Sequence, residues 1–260
     1  MAQNSLTRIM TYNIRYANNN PGEEWNVRRD KVIEMIRFHD PKIFGVQEAL
    51  IEQVADISLN FPEYQLVGVG RDDGHIQGEF SALFISPELN VVDKGTFWLS
   101  ETPDTPSVGW DASLKRIATW AILVNPKDED TLFIMDTHFD HLGVTARLKS
   151  AELLVSKIQE LNNGFPSILM GDFNFTSDFE GYKIIVDSGI LNDADKTAEF
   201  NYGTSITFNG FKENLERTDK IDFIFISPEI KVKHHAVIGE KFQGQYPSDH
   251  MPVIIDFYLK

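Results

Sequence analysis

A chain of 260 residues that is 42% hydrophobic and carries 19 Phe has enough apolar mass for a sizeable core, which excludes a disordered or low-complexity protein. Its 39 Asp and Glu against 24 Lys and Arg give a formal charge of −15, which weighs against an undiscriminating nucleic-acid binder, because that attraction comes from cations displacing counterions. The lack of cysteine rules out disulfides and thiol chemistry, and no apolar stretch approaches the ~18 residues of a membrane helix.

In chain order, residues 7–14 alternate and are rich in β-formers, so they read as an opening strand ending in Asn13. Residues 25–38 set Val27, Ile33 and Ile36 at roughly helical spacing amid charges, a helix that stops before Pro41. Residues 43–46 are a short buried strand with Gln47-Glu48 at its C-terminal end, followed by a helix over 49–60. Strands are expected at 64–69, 80–85 and 91–98, then a long surface loop over 100–113. Residues 116–124 and 131–138 read as paired strands around a Pro126-Lys127-Asp128 turn. The clearest amphipathic helix spans 145–161, with Leu148, Ala151, Leu154, Val155, Ile158 and Leu161 on one face. Strands at 167–170, 221–226, 230–237 and 251–258 complete the chain.

No repeat or linker interrupts this order, and a single domain over 1–260 is expected. No signal-peptide pattern precedes Leu6, so the compartment stays open: cytoplasmic, or exported if a leader has been removed.

Six polar clusters end or follow the apolar runs: Tyr12-Asn13, Gln47-Glu48, Asp136-Thr137-His138, Gly171-Asp172-Phe173-Asn174, Lys220-Ile221-Asp222 and Ser248-Asp249-His250. Each sits where a buried strand would emerge from a sheet, which is where α/β proteins place ligands. Carboxylates, carboxamides and imidazoles without thiols suit a hard divalent cation beside a phosphate better than zinc. Taken singly, each cluster has a plainer reading. Asp172 and Asn174 could make an Asx turn after a sharp bend at Gly171, and Glu48 could favour the first turn of the following helix. Asp222 could be an edge charge, or the hydrogen-bonded partner that orients His250. A zinc site on His138, Asp140 and His141 lacks the supporting ligands that tetrahedral geometry needs.

In their order along the chain, Asn13, Gln47-Glu48, Thr137-His138, Gly171-Asp172-Phe173-Asn174, Ile221-Asp222-Phe223 and Ser248-Asp249-His250 resemble the endonuclease/exonuclease/phosphatase (DNase-I-like) superfamily across nearly the whole length. The resemblance implies a four-layer α/β/β/α sandwich, two mixed β-sheets packed face to face with helices outside. It implies Mg²⁺- or Mn²⁺-dependent phosphoester hydrolysis, with Glu48 as principal metal ligand, helped by Asn13 and supported by Asp249. Asp172 resembles the residue that orients or deprotonates the attacking water, and Asn174 a phosphate contact. His250 held by Asp222 resembles the phosphate-stabilising imidazole, and His138 the second histidine, with Glu79 as its acidic partner. Arg116 resembles a substrate-contacting arginine.

Many DNA-repair members of that superfamily carry Asp two residues after the first Asn; this chain has Arg15. The leading expectation is a phosphodiesterase or nuclease, with Arg15, Arg28, Arg29, Arg71, Lys115, Arg116 and Arg147 as a positive rim. The alternatives are an esterase for a small or lipid-linked phosphate, which the −15 favours, and a catalytically silent binding module on the same fold. A monomer is expected.

Overall fold

The computed structural model describes residues 6–212 and 219–259. Its first half runs β1 (Thr7–Asn13), α1 (Trp25–His39), β2 (Ile43–Ala49), α2 (Ile51–Asn60), β3 (Gln65–Val67), β4 (Phe80–Ile85), β5 (Asn90–Trp98), β6 (Ile117–Val124) and β7 (Thr131–His138). The second runs α3 (Val144–Leu161), β8 (Ser167–Asp172), α4 (Glu180–Val186), β9 (Asn192–Asp193), α5 (Ala194–Thr197), β10 (Phe200–Gly203), β11 (Asp222–Ile226), β12 (Ile230–Val237) and β13 (Val253–Leu259).

The strands form two mixed sheets, ordered β10-β12-β13-β1-β2-β4-β3 and β5-β6-β7-β8-β11-β9. Neighbouring residues on the inner strands point into different cores, as period-two geometry requires. Ile9, Ile43 and Leu83 face Ile134, Ile168 and Ile224 between the sheets. Their neighbours Met10, Phe44 and Phe84 pack outward on Val32 and Ile36 of α1 and Val54 and Ile57 of α2. On the other flank Phe133, Met135, Leu169 and Phe223 pack on Ala151, Leu154 and Ile158 of α3 and Ile185 of α4. The result is the four-layer α/β/β/α sandwich.

One edge of this sandwich collects the polar ends. β1 and β2 run parallel side by side, as do β7 and β8, so Asn13, Glu48, His138 and Asp172 all emerge at strand C-termini together. β4, β6, β11 and β13 run antiparallel to those neighbours and therefore begin at the same edge. Their starts bring Glu79, Arg116, Asp222 and the Asp249-His250 pair.

Several local expectations need correction. Gly171 makes no turn: β8 continues through it to Asp172, and a Cβ there would lie 2.0 Å from the Thr137 carbonyl oxygen. Glycine is needed for the close approach of β7 and β8 and for φ +144°, and the chain bends later, at Asn174 (φ 50°). The second helix starts at Ile51, because Ala49 still pairs with Phe80 in β2. Glu48 is thus a strand residue at a register shift, with φ 62°, and the bulge re-aims its side chain into the cleft. α4, α5, β9 and β10 were not anticipated; elements of two to seven residues are too short for periodicity to reveal.

Candidate active site

The sequence-selected residues meet in one cleft of ≈ 1070 Å³, lined among others by Glu48, Glu79, Arg116, His138, Asp172, Asn174, Asp249 and His250. Asn13 and Asp222 lie buried directly beneath it.

The Asn13 carboxamide is the hub of the floor. Its Nδ2 donates to Glu48 Oε1 (3.1 Å) and to Asp172 Oδ2 (2.9 Å). Two carboxylate oxygens therefore converge on one position. The amide orientation is set by the Arg15 backbone N–H, which donates to Asn13 Oδ1 (3.0 Å). Asn13 thus shows its nitrogen, not its oxygen, to the carboxylates, and ligation of a cation by Oδ1 requires the amide to flip.

Asp172 Oδ1 accepts from the Asn174 N–H (2.9 Å), so the Asx turn and the site residue are the same feature. Burial and the neighbouring Asp222 push its carboxyl up to about 7, against the pull of His250 and its two hydrogen bonds. His250 Nδ1 donates to Asp222 (2.9 Å to Oδ2), fixing the ring orientation that leaves Nε2 facing Asp172 Oδ2 at 3.7 Å. Burial alone would lower His250, but Asp222 and Asp172 carry it well above the ordinary imidazole value. It is an imidazolium surrounded by carboxylates.

His138 is the opposite case. Burial, then the Arg116 and Arg71 charges, holds it well below the ordinary value, so it is neutral. Asn174 Nδ2 donates to its Nε2 (3.1 Å), and Arg116 Nη1 lies 2.9 and 3.0 Å from its two ring nitrogens. Glu79 lies within ion-pair distance of it but makes no hydrogen bond to it. Glu79 Oε2 stands 3.9 Å from His138 Nδ1, because both carboxylate oxygens are gripped by Arg71 (2.5 and 3.0 Å). A guanidinium fork matches a carboxylate better than one imidazole nitrogen does. The signal for Arg71 was its place in the same turn-linked segment as Glu79, where the Arg71 N–H bonds to the Glu79 carbonyl.

Glu48 divides its oxygens. Oε1 takes the Asn13 amide, while Oε2 accepts from the Tyr16 N–H (3.2 Å) and faces Arg15 Nη1 at 3.5 Å. Burial pushes its carboxyl up, and the charges of His250 and Arg15 bring it below the ordinary value. Asp249 is reached through the same arginine, Arg15 Nε lying 3.7 Å from its Oδ2. Asp249, expected to support the metal side, is linked to Glu48 through that guanidinium.

Ligand atoms of Glu48, His138 and Asp172 lie within 4.8 Å of one another, as do those of Asp172, Asp222 and His250. The carboxylate pair Glu48 and Asp172 is the hard-oxygen donor set that Mg²⁺ or Mn²⁺ takes, and the two oxygens already share one donor. The residues fit such an ion.

The expected positive rim is mostly absent. Arg28 is 1% exposed, and its guanidinium donates to the carbonyls of Glu23, Ile14, Pro247 and Arg15. Arg71 is buried on Glu79; Arg29 pairs with Asp30, and Lys115 donates to the Asp72 carbonyl. Of the seven cations, Arg15, Arg116 and Arg147 line the cleft. Among the lining residues not singled out beforehand are its aromatic walls, Tyr16, Phe175, Phe179, Phe208 and Phe211; His141, weighed above only for a zinc site, stands beside Arg116 Nη2 (3.2 Å).

Residues 10–250 match the endonuclease/exonuclease/phosphatase family. The chain is 39% identical to the endonuclease/exonuclease/phosphatase from Bacteroides vulgatus, over 98% of this chain and 100% of that one, with a TM-score of 0.95. It is 37% identical to a family protein from Bacteroides thetaiotaomicron, over 99% of both chains, with a TM-score of 0.95. A mannosyl-6-phosphatase of Bacteroides thetaiotaomicron is also 37% identical, over 97% of this chain and 100% of that one, with a TM-score of 0.93.

Proposed function

Since this chain belongs to the endonuclease/exonuclease/phosphatase family and is a phosphoester hydrolase, we propose that its substrate is a small phosphomonoester, a phosphorylated sugar, rather than a nucleic-acid strand. The supporting observation is where the cations went. A strand of nucleic acid needs a track of free Lys and Arg along its phosphates. Here Arg28 and Arg71 are spent inside the protein, Arg29 and Lys115 bond away from the cleft, and the remaining cleft cations gather at the floor and one wall. Aromatic walls around a bounded cleft suit the apolar face of a sugar ring. The 37%-identical relative described as a mannosyl-6-phosphatase agrees with this reading.

The cofactor would be Mg²⁺ or Mn²⁺, held by Glu48 with Asp172 in reach; when bound it supplies charge that polarises the phosphoryl group and acidifies water. Asp172, whose carboxyl is held near neutrality, accepts the proton of the attacking water at Oδ2, and Asn13 and the Asn174 N–H keep that carboxylate in place. His250, cationic and locked by Asp222, donates from Nε2 to a phosphoryl oxygen. Arg116 and Asn174, joined through neutral His138, face the phosphoryl group from the opposite wall. Arg71, through Glu79, steadies that wall.

The test is hydrolysis with Mg²⁺, Mn²⁺ or chelator across hexose 6-phosphates, inositol phosphates, bis(p-nitrophenyl) phosphate, sphingomyelin, plasmid and poly(A). Chelator-sensitive release of inorganic phosphate from a sugar phosphate, faster than cleavage of any diester, is the expected result. Cleavage of plasmid or poly(A) as the best reaction, falling steeply with salt, would reinstate the nuclease. Inactivity toward the whole panel would favour the binding module.

A further inference from the structure

Arg15 is built into the floor with unusual care. It is a non-glycine residue at φ 57°, a left-handed conformation that costs about 1 kcal/mol or more unless its surroundings impose it. Three main-chain contacts do so. Its N–H donates to Asn13 Oδ1 (3.0 Å), and its carbonyl accepts from Arg28 Nη2 (3.1 Å) and Gln53 Nε2 (2.9 Å). The effect is to lay the guanidinium against the Tyr16 ring, 4.4 Å from its centroid, with Nη1 3.5 Å from Glu48 and Nε 3.7 Å from Asp249. Nε is buried and has no hydrogen-bond partner, its nearest anion being Asp249, while the side chain as a whole lines the cleft.

We propose that Arg15 is a tethered cation that takes the place of a second metal ion, limiting this centre to one divalent ion and supplying the second positive charge from the chain itself. Two-metal hydrolytic centres hold their ions ~3.5–4 Å apart on shared carboxylates. Glu48 and Asp249 are the pair available for such sharing on this side of the cleft, and a guanidinium already faces both. Glu48 Oε2 is further committed to the Tyr16 N–H, while Oε1, which shares the Asn13 amide with Asp172, points to the Asp172 side, where a single ion would sit. A planar fork with a fixed charge can face two carboxylates and still offer an N–H to a phosphoryl oxygen. The proposal rests on the metal-dependent hydrolase reading and concerns its stoichiometry.

The experiment is Mn²⁺ binding by the full chain, counted by equilibrium dialysis and electron paramagnetic resonance, for the native protein and for Arg15→Asp, Arg15→Gln and Arg15→Lys. Aspartate tolerates the left-handed conformation, and the locking contacts use the Arg15 main chain, so Arg15→Asp is expected to fold; a thermal melt checks this. One Mn²⁺ per native chain, two spin-coupled Mn²⁺ in Arg15→Asp, a weaker second site in Arg15→Gln and one ion again in Arg15→Lys support the assignment. Two ions in the native chain overturn it. So does one ion of unchanged affinity in Arg15→Gln, a result that stands even if Arg15→Asp fails to fold. Absence of any bound Mn²⁺ would remove the hydrolase reading as well, a separate outcome from a wrong count.

Discussion

Replacing Arg28 by methionine should damage stability and the site together. Its guanidinium spans four carbonyls: Glu23 and Ile14 at 2.7 Å, Pro247 at 2.9 Å and Arg15 at 3.1 Å. The Ile14 and Pro247 bonds are buried, and they join the end of β1 to the segment leading into Ser248-Asp249-His250. A buried carbonyl left without a donor costs ~1–3 kcal/mol, so two orphans amount to about 2–6 kcal/mol. Methionine returns some of this, because a buried charge no longer has to be desolvated and the thioether fills part of the volume. The net expectation is a loss of about 3 kcal/mol in urea unfolding at neutral pH. Arg28→Lys should fall between, since one ammonium cannot reach four acceptors spread around a fork. Turnover of the folded Arg28→Met protein should drop too, because Arg15 and His250 lose a common anchor. A loss below about 1 kcal/mol with normal turnover would show that water replaces the guanidinium and that the clamp is dispensable.

Asp172→Asn and His250→Ala should each lower kcat by ~10²-fold or more, the second with a lower melting temperature because Asp222 loses its buried partner, and near-native rates in both folded proteins would sink the roles assigned to them. His235 is buried, and burial with the Lys220 charge holds its pKa at about 4, below the ordinary imidazole value. The unfolded chain therefore binds the extra proton, so this contribution to stability is complete above about pH 6.5 and is lost as pH falls toward 4. Between pH 7.5 and 5 that loss is ~2 kcal/mol, read as a fall in urea stability that His235→Gln should not show; equal falls in both proteins would refute it. Gly171→Ala forces a methyl into the Thr137 carbonyl and should abolish soluble expression or cut the melting temperature sharply, and a normal melt would mean β7 and β8 can separate locally.

The site was legible because its residues stand at the ends of apolar runs. Residues 43–46 before Gln47-Glu48 and 167–170 before Gly171-Asp172 mark strand ends without any structure. The two-sheet architecture, by contrast, came through the family resemblance, since periodicity alone cannot say which strands share a sheet. Charge is visible in a sequence, but its partner is not. Arg28 and Arg71 look like surface cations there, and only the fold shows one among carbonyls and the other on Glu79. Glycine marks both turns and close backbone approach, and what decides between them at Gly171 is the Thr137 carbonyl of β7, 34 residues upstream. The bulge that swings Glu48 into the cleft is a pairing defect between β2 and β4, again a property of neighbours rather than of the residue.

The most direct test is the anomalous signal of Mn²⁺ in crystals grown with phosphate. A single peak bonded to Glu48 Oε1 and within reach of Asp172, with phosphate oxygens toward His250, Asn174 and Arg116, is what this arrangement requires. A peak remote from Glu48, or phosphate seated away from His250, would contradict it.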